Sequence, residues 1–125
     1  MSEIIQIQKN NHGTTIICID KRKADELLQY ILSKDVIDEY LKIQQVLLEN
    51  VPNNVLYQKV KTTSSVYEMR FTNKGKNDRI YYKVVRKSKK RYLILGELLL
   101  KKKSNQIPDK IMKKLKTLDR YNYET

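Results

Sequence analysis

The residues best equipped for chemistry lie in two alternating stretches. From Val66 to Phe71, Tyr67, Met69 and Phe71 point one way and Glu68 and Arg70 the other. From Arg79 to Val85, Ile80, Tyr82 and Val84 share one face, and Arg79, Tyr81 and Lys83 share the opposite face. Side chains alternate between the two faces of a strand, so two such strands side by side would gather Arg70, Arg79, Tyr81 and Lys83 on one surface. If Val55–Lys61 is the neighbouring strand, Lys59 and Lys61 share one side and can join them. Fixed cations with a tyrosine among them suit a polyanion: the cations neutralise phosphates and the ring stacks on bases.

The same set could assist attack on a phosphodiester. In-line attack builds negative charge on the phosphate, and fixed cations aimed at it stabilise that charge. Arginine keeps its proton, so Arg70 and Arg79 can only clamp and stabilise. The proton acceptor must be another group. Lys59 or Lys61, crowded by cations that lower a lysine pKa, is one choice. Tyr81 or Tyr82 could orient a hydroxyl or stack a base. Glu68 and Glu97 are the available carboxylates, and Glu68, with basic neighbours on its face, reads as an ion-pair partner. Lys83, Lys87, Lys101, Lys102 and Lys103 are the expected RNA-binding cations, with the runs Lys87–Arg91 and Lys101–Lys103 at the edges of the face.

The charge distribution supports a polyanion partner. The chain has 125 residues and a net charge of +12. Residues 1–54 carry six Lys/Arg against eight Asp/Glu, a net −2, whereas residues 55–125 carry twenty against six, a net +14. Such asymmetry marks a binding face for nucleic acid or an anionic surface. Cys18 is the only cysteine and His12 the only histidine. This excludes an internal disulfide framework and a His/Cys zinc site, which needs about four ligands. No metal or cofactor is expected. Cys18 reads as a small buried residue and His12 as part of a turn. Met1–Gln8 lacks a basic region followed by a long apolar one, so no signal peptide is expected. No window approaches the roughly 20 apolar residues of a membrane span. A cytoplasmic protein that does not contact membrane is the expectation.

The elements that must position these residues follow from periodicity. Glu3–Ile7 and Thr14–Ile19 are β-branched runs around the turn Asn10–Gly13, a small hairpin. Asp20–Leu32 has Ala24, Leu27, Leu28 and Ile31 at helical spacing, and Val36–Val51 is a second helix stopped by Pro52. After Asn54 the period falls to two, with strands at Val55–Lys61, Val66–Phe71, Arg79–Val85 and Tyr92–Leu100. The last is apolar enough to be a central strand buried on both faces. Pro108 opens a final helix striped by Ile111, Met112, Leu115 and Leu118. The expected fold is a single α+β domain. It has a hairpin extension (1–20), a helix pair (21–54), a mainly antiparallel basic sheet of about four strands (55–103) and a C-terminal helix (107–120).

The run Val66-Tyr67-Glu68-Met69-Arg70-Phe71, then Gly75, Arg79-Ile80-Tyr81-Tyr82, the apolar strand, Lys102-Lys103 and Pro108 resembles the RelE superfamily of toxins, in particular its HigB-like, phage-derived branch. The resemblance covers about residues 22–120. It implies the toxin of a toxin–antitoxin system: a ribosome-dependent mRNA endonuclease, neutralised by a small antitoxin of helix-turn-helix type. It implies metal-free cleavage in which the ribose 2′-hydroxyl attacks the adjacent phosphate, leaving a cyclic phosphate and a 5′-hydroxyl. The matched positions are Arg70, Arg79 and Lys102–Lys103, with Lys59 and Lys61 matched more loosely. The chain departs from the pattern in having no histidine after His12; Tyr121 or Tyr123 occupies that region. It also carries Glu97 and Leu98 where the family often has histidine, glycine or phenylalanine. A non-catalytic RNA-binding or phage accessory protein on the same fold is the alternative.

Overall fold

The computed structural model describes residues 3–104 and 106–125. Met1 and Ser2 of the expected hairpin segment, together with Asn105, lie outside the described residues. Strand β1 (Ile4–Lys9) turns into β2 (Thr15–Asp20), followed by helices α1 (Ala24–Ile31) and α2 (Ile37–Leu48). Next come the short strand β3 (Tyr57–Lys59), then β4 (Val66–Phe71), β5 (Asp78–Lys87) and β6 (Lys90–Leu99), and finally helix α3 (Asp109–Arg120). The architecture is α+β. One six-stranded sheet runs in the order β1-β2-β6-β5-β4-β3, mixed rather than purely antiparallel.

The strand count corrects the expectation of about four. The hairpin is part of the sheet, because β2 pairs antiparallel with β1 and parallel with β6. Every residue of β2 is buried. Its run Ile16-Ile17-Cys18-Ile19 is the continuous apolar pattern of a strand covered on both faces. A parallel partner requires a long crossover, and the chain between β2 and β6 supplies it.

Two cores sandwich the sheet. On one face Tyr67, Met69, Phe71, Ile80, Tyr82 and Val84 pack with α1 and α2 around Leu27, Ile31, Tyr40, Ile43 and Leu47, as the alternation requires. On the other face Val66, Tyr81, Ile94 and Cys18 meet Leu115 and Leu118 of α3. The polar-lined face is therefore partly roofed by a helix rather than wholly open. Tyr81 is completely buried, and Arg79 and Lys83 are each only 8% exposed. Burial pushes the Cys18 thiol up to about 11.

The C-terminal end of α3 is tied down twice. Lys83 reaches across and donates to the carbonyl oxygens of Asp119 (2.7 Å) and Tyr121 (2.5 Å), placing a cation at the negative end of the helix. Replacing it (Lys83→Met) strands those carbonyls. The expected loss is about 1–3 kcal/mol of unfolding free energy in chemical denaturation.

Asp119 also accepts from the backbone N–H groups of Ser64 (3.0 Å) and Ser65 (2.8 Å) and from both serine hydroxyls. Burial pushes its pKa up, but these hydrogen bonds outweigh it and hold the carboxyl at about 2. A folded-state pKa below the unfolded value of 3.8 gives stability that is present above about pH 4 and lost as pH falls towards 2. Solvent screens part of this. Wild type and Asp119→Asn should differ in urea midpoint at pH 5 and converge near pH 2.

The β5–β6 hairpin turns on Ser88 and Lys89, both at positive φ (53° and 65°), as a two-residue hairpin turn requires. The gap expected between the strands Arg79–Val85 and Tyr92–Leu100 thus shrinks to two residues. Arg91 caps α2 instead, donating to Leu47 O (2.9 Å) and Asn50 Oδ1 (2.7 Å).

Candidate functional site

Register brings the cationic residues into rows. Arg70 of β4 stands opposite Arg79 of β5, and Glu68 opposite Tyr81. Tyr81 in turn stands opposite Glu97 of β6. Between Tyr81 and Tyr82 the β5–β6 register shifts, since Tyr82 pairs with Leu95 and Gly96 is the extra residue of a bulge. The bulge keeps both Gly96 and Glu97 on the α3 side. A Cβ at Gly96 would lie 2.9 Å from Leu118 Cδ1, so glycine is what lets the helix approach.

Glu68 is the hub. It is 5% exposed, and its Oε2 accepts from Arg70 Nε at 2.8 Å and lies 3.5 Å from Arg79 Nε. Arg70 also donates to Asn54 O (3.2 Å) and to the Gln58 side chain, and Arg79 to Asp78 O (2.9 Å). A buried carboxylate between two guanidiniums neutralises part of their charge and fixes where they point. Burial, then Glu68, pushes the Tyr81 hydroxyl well above the ordinary tyrosine range, against the pull of Arg79. Its oxygen is buried without a hydrogen-bond partner among the described residues.

An open cleft of about 470 Å³ lies over this hub, its lining including Gln58, Lys59, Lys61, Glu68, Arg70 and Lys102, with Ile107 and Met112 among the α3-side residues. A second cleft of about 400 Å³, its lining including Lys74, Lys76, Lys101 and Lys102, adjoins it. Lys102 is shared by both. Its backbone is pinned to Asn77, whose carbonyl accepts from Lys102 N at 2.7 Å and whose side-chain amide donates to Lys102 O. Burial first, then Arg79 and Arg70, lower the Lys102 pKa against the pull of Glu68.

Of the residues singled out from sequence, the fold brings together Arg70, Arg79, Tyr81 and Lys102, with Lys59 and Lys61 on the cleft rim. Lys59 arrives by a different route from the one expected. Its strand partner is Tyr67, and it is Gln58 that stands opposite Glu68. Lys59 Nζ donates to Thr63 O, and Lys61 lies in the turn beyond the strand. Lys101 and Lys103 are exposed on either side of Lys102. Lys83 is taken up by the end of α3. Lys87 is eight residues along β5 from Arg79, about 26 Å at strand rise.

Tyr121 and Tyr123 belong elsewhere. They line a separate cleft of about 280 Å³ with Asp20, Arg22 and Glu97. There the Tyr123 hydroxyl donates to Asp20 (2.6 Å), the Tyr121 hydroxyl donates to Glu3, and Arg22 lies 4.8 Å over the Tyr121 ring. Sequence reasoning missed Gln58 as a site residue. Tyr57, which packs against the helix-side core, is the signal that would have fixed its face.

No helix among the described residues is long and apolar enough to cross a membrane. Comparison of the chain with protein-family models, with curated proteins and with solved structures finds no match in any of the three.

Proposed function

We propose that this chain is a metal-independent endoribonuclease of the RelE-superfamily, HigB-like type: a toxin that cuts mRNA on the ribosome and is held in check by a small helix-turn-helix antitoxin. The observation that carries the reading is the convergence of Arg70 and Arg79 on Glu68, with Glu68 and Arg70 lining an open cleft, Arg79 buried directly behind them, and Lys59, Lys61 and Lys102 on the rim. Two guanidiniums on a rigid sheet can stabilise charge as it builds on a phosphate. The attacking group can then be the ribose 2′-hydroxyl, which restricts the substrate to RNA. The lysines of the adjoining cleft offer a track for flanking phosphates. From residue 24 onward the element order is a helix pair, four strands and a last helix, as read from the periodicity.

The test is cleavage of mRNA on translating ribosomes in the presence of a chelator. Cutting should persist, leave a cyclic phosphate, and stop when the nucleotide 5′ of the cut is 2′-deoxy. Intact mRNA would sink the proposal. The second reading, a non-catalytic RNA-binding protein, is favoured by one observation: Glu68 already lies against both arginine Nε groups. It predicts salt-dependent retention of RNA with no cleavage.

A further inference from the structure

We propose that Glu68 and Lys102 are the proton-transfer pair of the cleft, Glu68 Oε1 accepting the proton of the attacking 2′-hydroxyl and Lys102 protonating the departing 5′-oxygen. The proposal rests on the nuclease reading and assigns the proton acceptor and donor within it.

Asp109 also lines the cleft, exposed at the start of α3; among the titratable residues that the sheet positions, the geometry narrows the choice to Glu68 and Lys102. Arg70 and Arg79 keep their protons and can only stabilise. The Tyr81 hydroxyl is buried, holds its proton through burial and the nearby Glu68, and does not line the cleft. The Lys59 amine is turned onto Thr63 O, and Lys61 lies beyond the strand in the exposed turn. Glu68 is different because only Oε2 faces the arginines; among the described residues Oε1 makes no hydrogen bond. Lys102 is different because its backbone alone fixes its position, through Asn77. Its ammonium makes no hydrogen bond or ion pair among the described residues, although the Glu68 charge reaches it. A carboxylate and an ammonium thus line one cleft without closing on each other, leaving room for a phosphate between them. Burial and the two arginines make the ammonium a readier donor than an ordinary lysine.

The chemistry balances without a co-reactant. The O2′–H bond breaks as O2′–P forms, and that proton goes to Glu68. The P–O5′ bond breaks with its electron pair on O5′, which takes a proton from Lys102. The products are a 2′,3′-cyclic phosphate and a 5′-hydroxyl. Glu68 is left protonated and Lys102 neutral, and solvent carries the proton back.

The experiment compares ordinary mRNA on ribosomes with the same mRNA carrying sulfur in place of the bridging 5′-oxygen at the cut. A thiolate leaves without a proton, so it bypasses the donor alone. Lys102→Met should slow cleavage of the ordinary substrate by about 10²–10⁴-fold and recover most of that loss on the sulfur substrate. Lys102→Arg, which keeps the positive charge, should show the same pattern. Glu68→Gln should stay slow on both substrates. Asp25→Asn, an exposed carboxylate on α1 away from the cleft, should cut both at the wild-type rate. Circular dichroism checks that each variant is folded. Equal impairment of Lys102→Met on both substrates, or a wild-type rate for Lys102→Arg on the ordinary one, overturns the donor role. Recovery of Glu68→Gln by sulfur, or its wild-type rate on ordinary mRNA, overturns the acceptor role. Wild-type protein that cuts neither substrate overturns the nuclease reading itself.

Discussion

Replacing Glu68 with leucine should cost the fold about 3–5 kcal/mol, the usual penalty for removing one partner of a buried ion pair. Glu68 is 5% exposed and Arg79 8% exposed. Without the carboxylate, Arg79 keeps only the Asp78 carbonyl and has its Nε facing an apolar contact. The damage should be conditional. Arg79→Met in the Glu68→Leu background removes the stranded charge and should restore much of the loss, because an apolar pair of similar volume is often neutral or better in such a place. Arg70, with 29% of its side chain exposed, can turn to solvent when the carboxylate goes; Arg70→Met in turn takes from buried Glu68 its hydrogen-bond donor at 2.8 Å and should cost about 1–3 kcal/mol. Urea denaturation of the single and double variants gives the coupling energy directly. If Glu68→Leu stays within about 0.5 kcal/mol of wild type, as a surface substitution would, the carboxylate is not what neutralises the pair.

Arg70→Ala and Arg79→Ala should each reduce single-turnover cleavage of ribosome-bound mRNA by about 10²–10³-fold, the usual effect of removing one preorganised charge-stabilising donor. The two losses should not add, since both arginines are oriented by the same Glu68 oxygen. Affinity should fall much less than rate. The proposed phosphate track lies in the adjoining cleft, and Lys74→Ala or Lys101→Ala should each weaken RNA retention and lower the salt slope by about one. In cells, Arg79→Ala should lift the growth arrest that the proposed activity implies. A variant that still cuts at the wild-type rate would move the chemistry away from this cleft.

Much of the arrangement was legible from period-two patterning. The alternation in Val66–Phe71 and Arg79–Val85 assigned Tyr67, Met69, Phe71, Ile80 and Tyr82 to the helix side and Glu68, Arg70, Arg79 and Tyr81 to the other, and the register agrees. The ion-pair reading of Glu68 also agrees with its contacts. Three things were hidden for physical reasons. The first is the β2–β6 pairing, which is non-local, and apolar runs do not name their partners. The second is the face of Lys59: a one-residue slip in a short strand reverses every side chain, and three residues of β3 carry too little pattern to fix it. The third is the fate of Lys83, since its partners are backbone carbonyls at the far end of α3, and carbonyls leave no trace in a sequence.

The pairing of β2 with β6 has a consequence for timing. The second strand, β2, finds its parallel neighbour only in β6, some seventy residues further along the chain. Chains are synthesised N-terminus first, and a lone two-stranded hairpin is marginal in water. Closing so long a loop carries an entropic cost before the contact rewards it, and non-local pairing slows folding. Until β6 emerges, β1 and β2 have no sheet to join. Until Lys102 and α3 follow, the cleft has neither its shared lysine nor its far wall. The site is therefore completed only after the sheet is, and a chain cut short between Leu99 and residue 102 would hold all six strands yet lack the shared lysine and the far wall of the cleft.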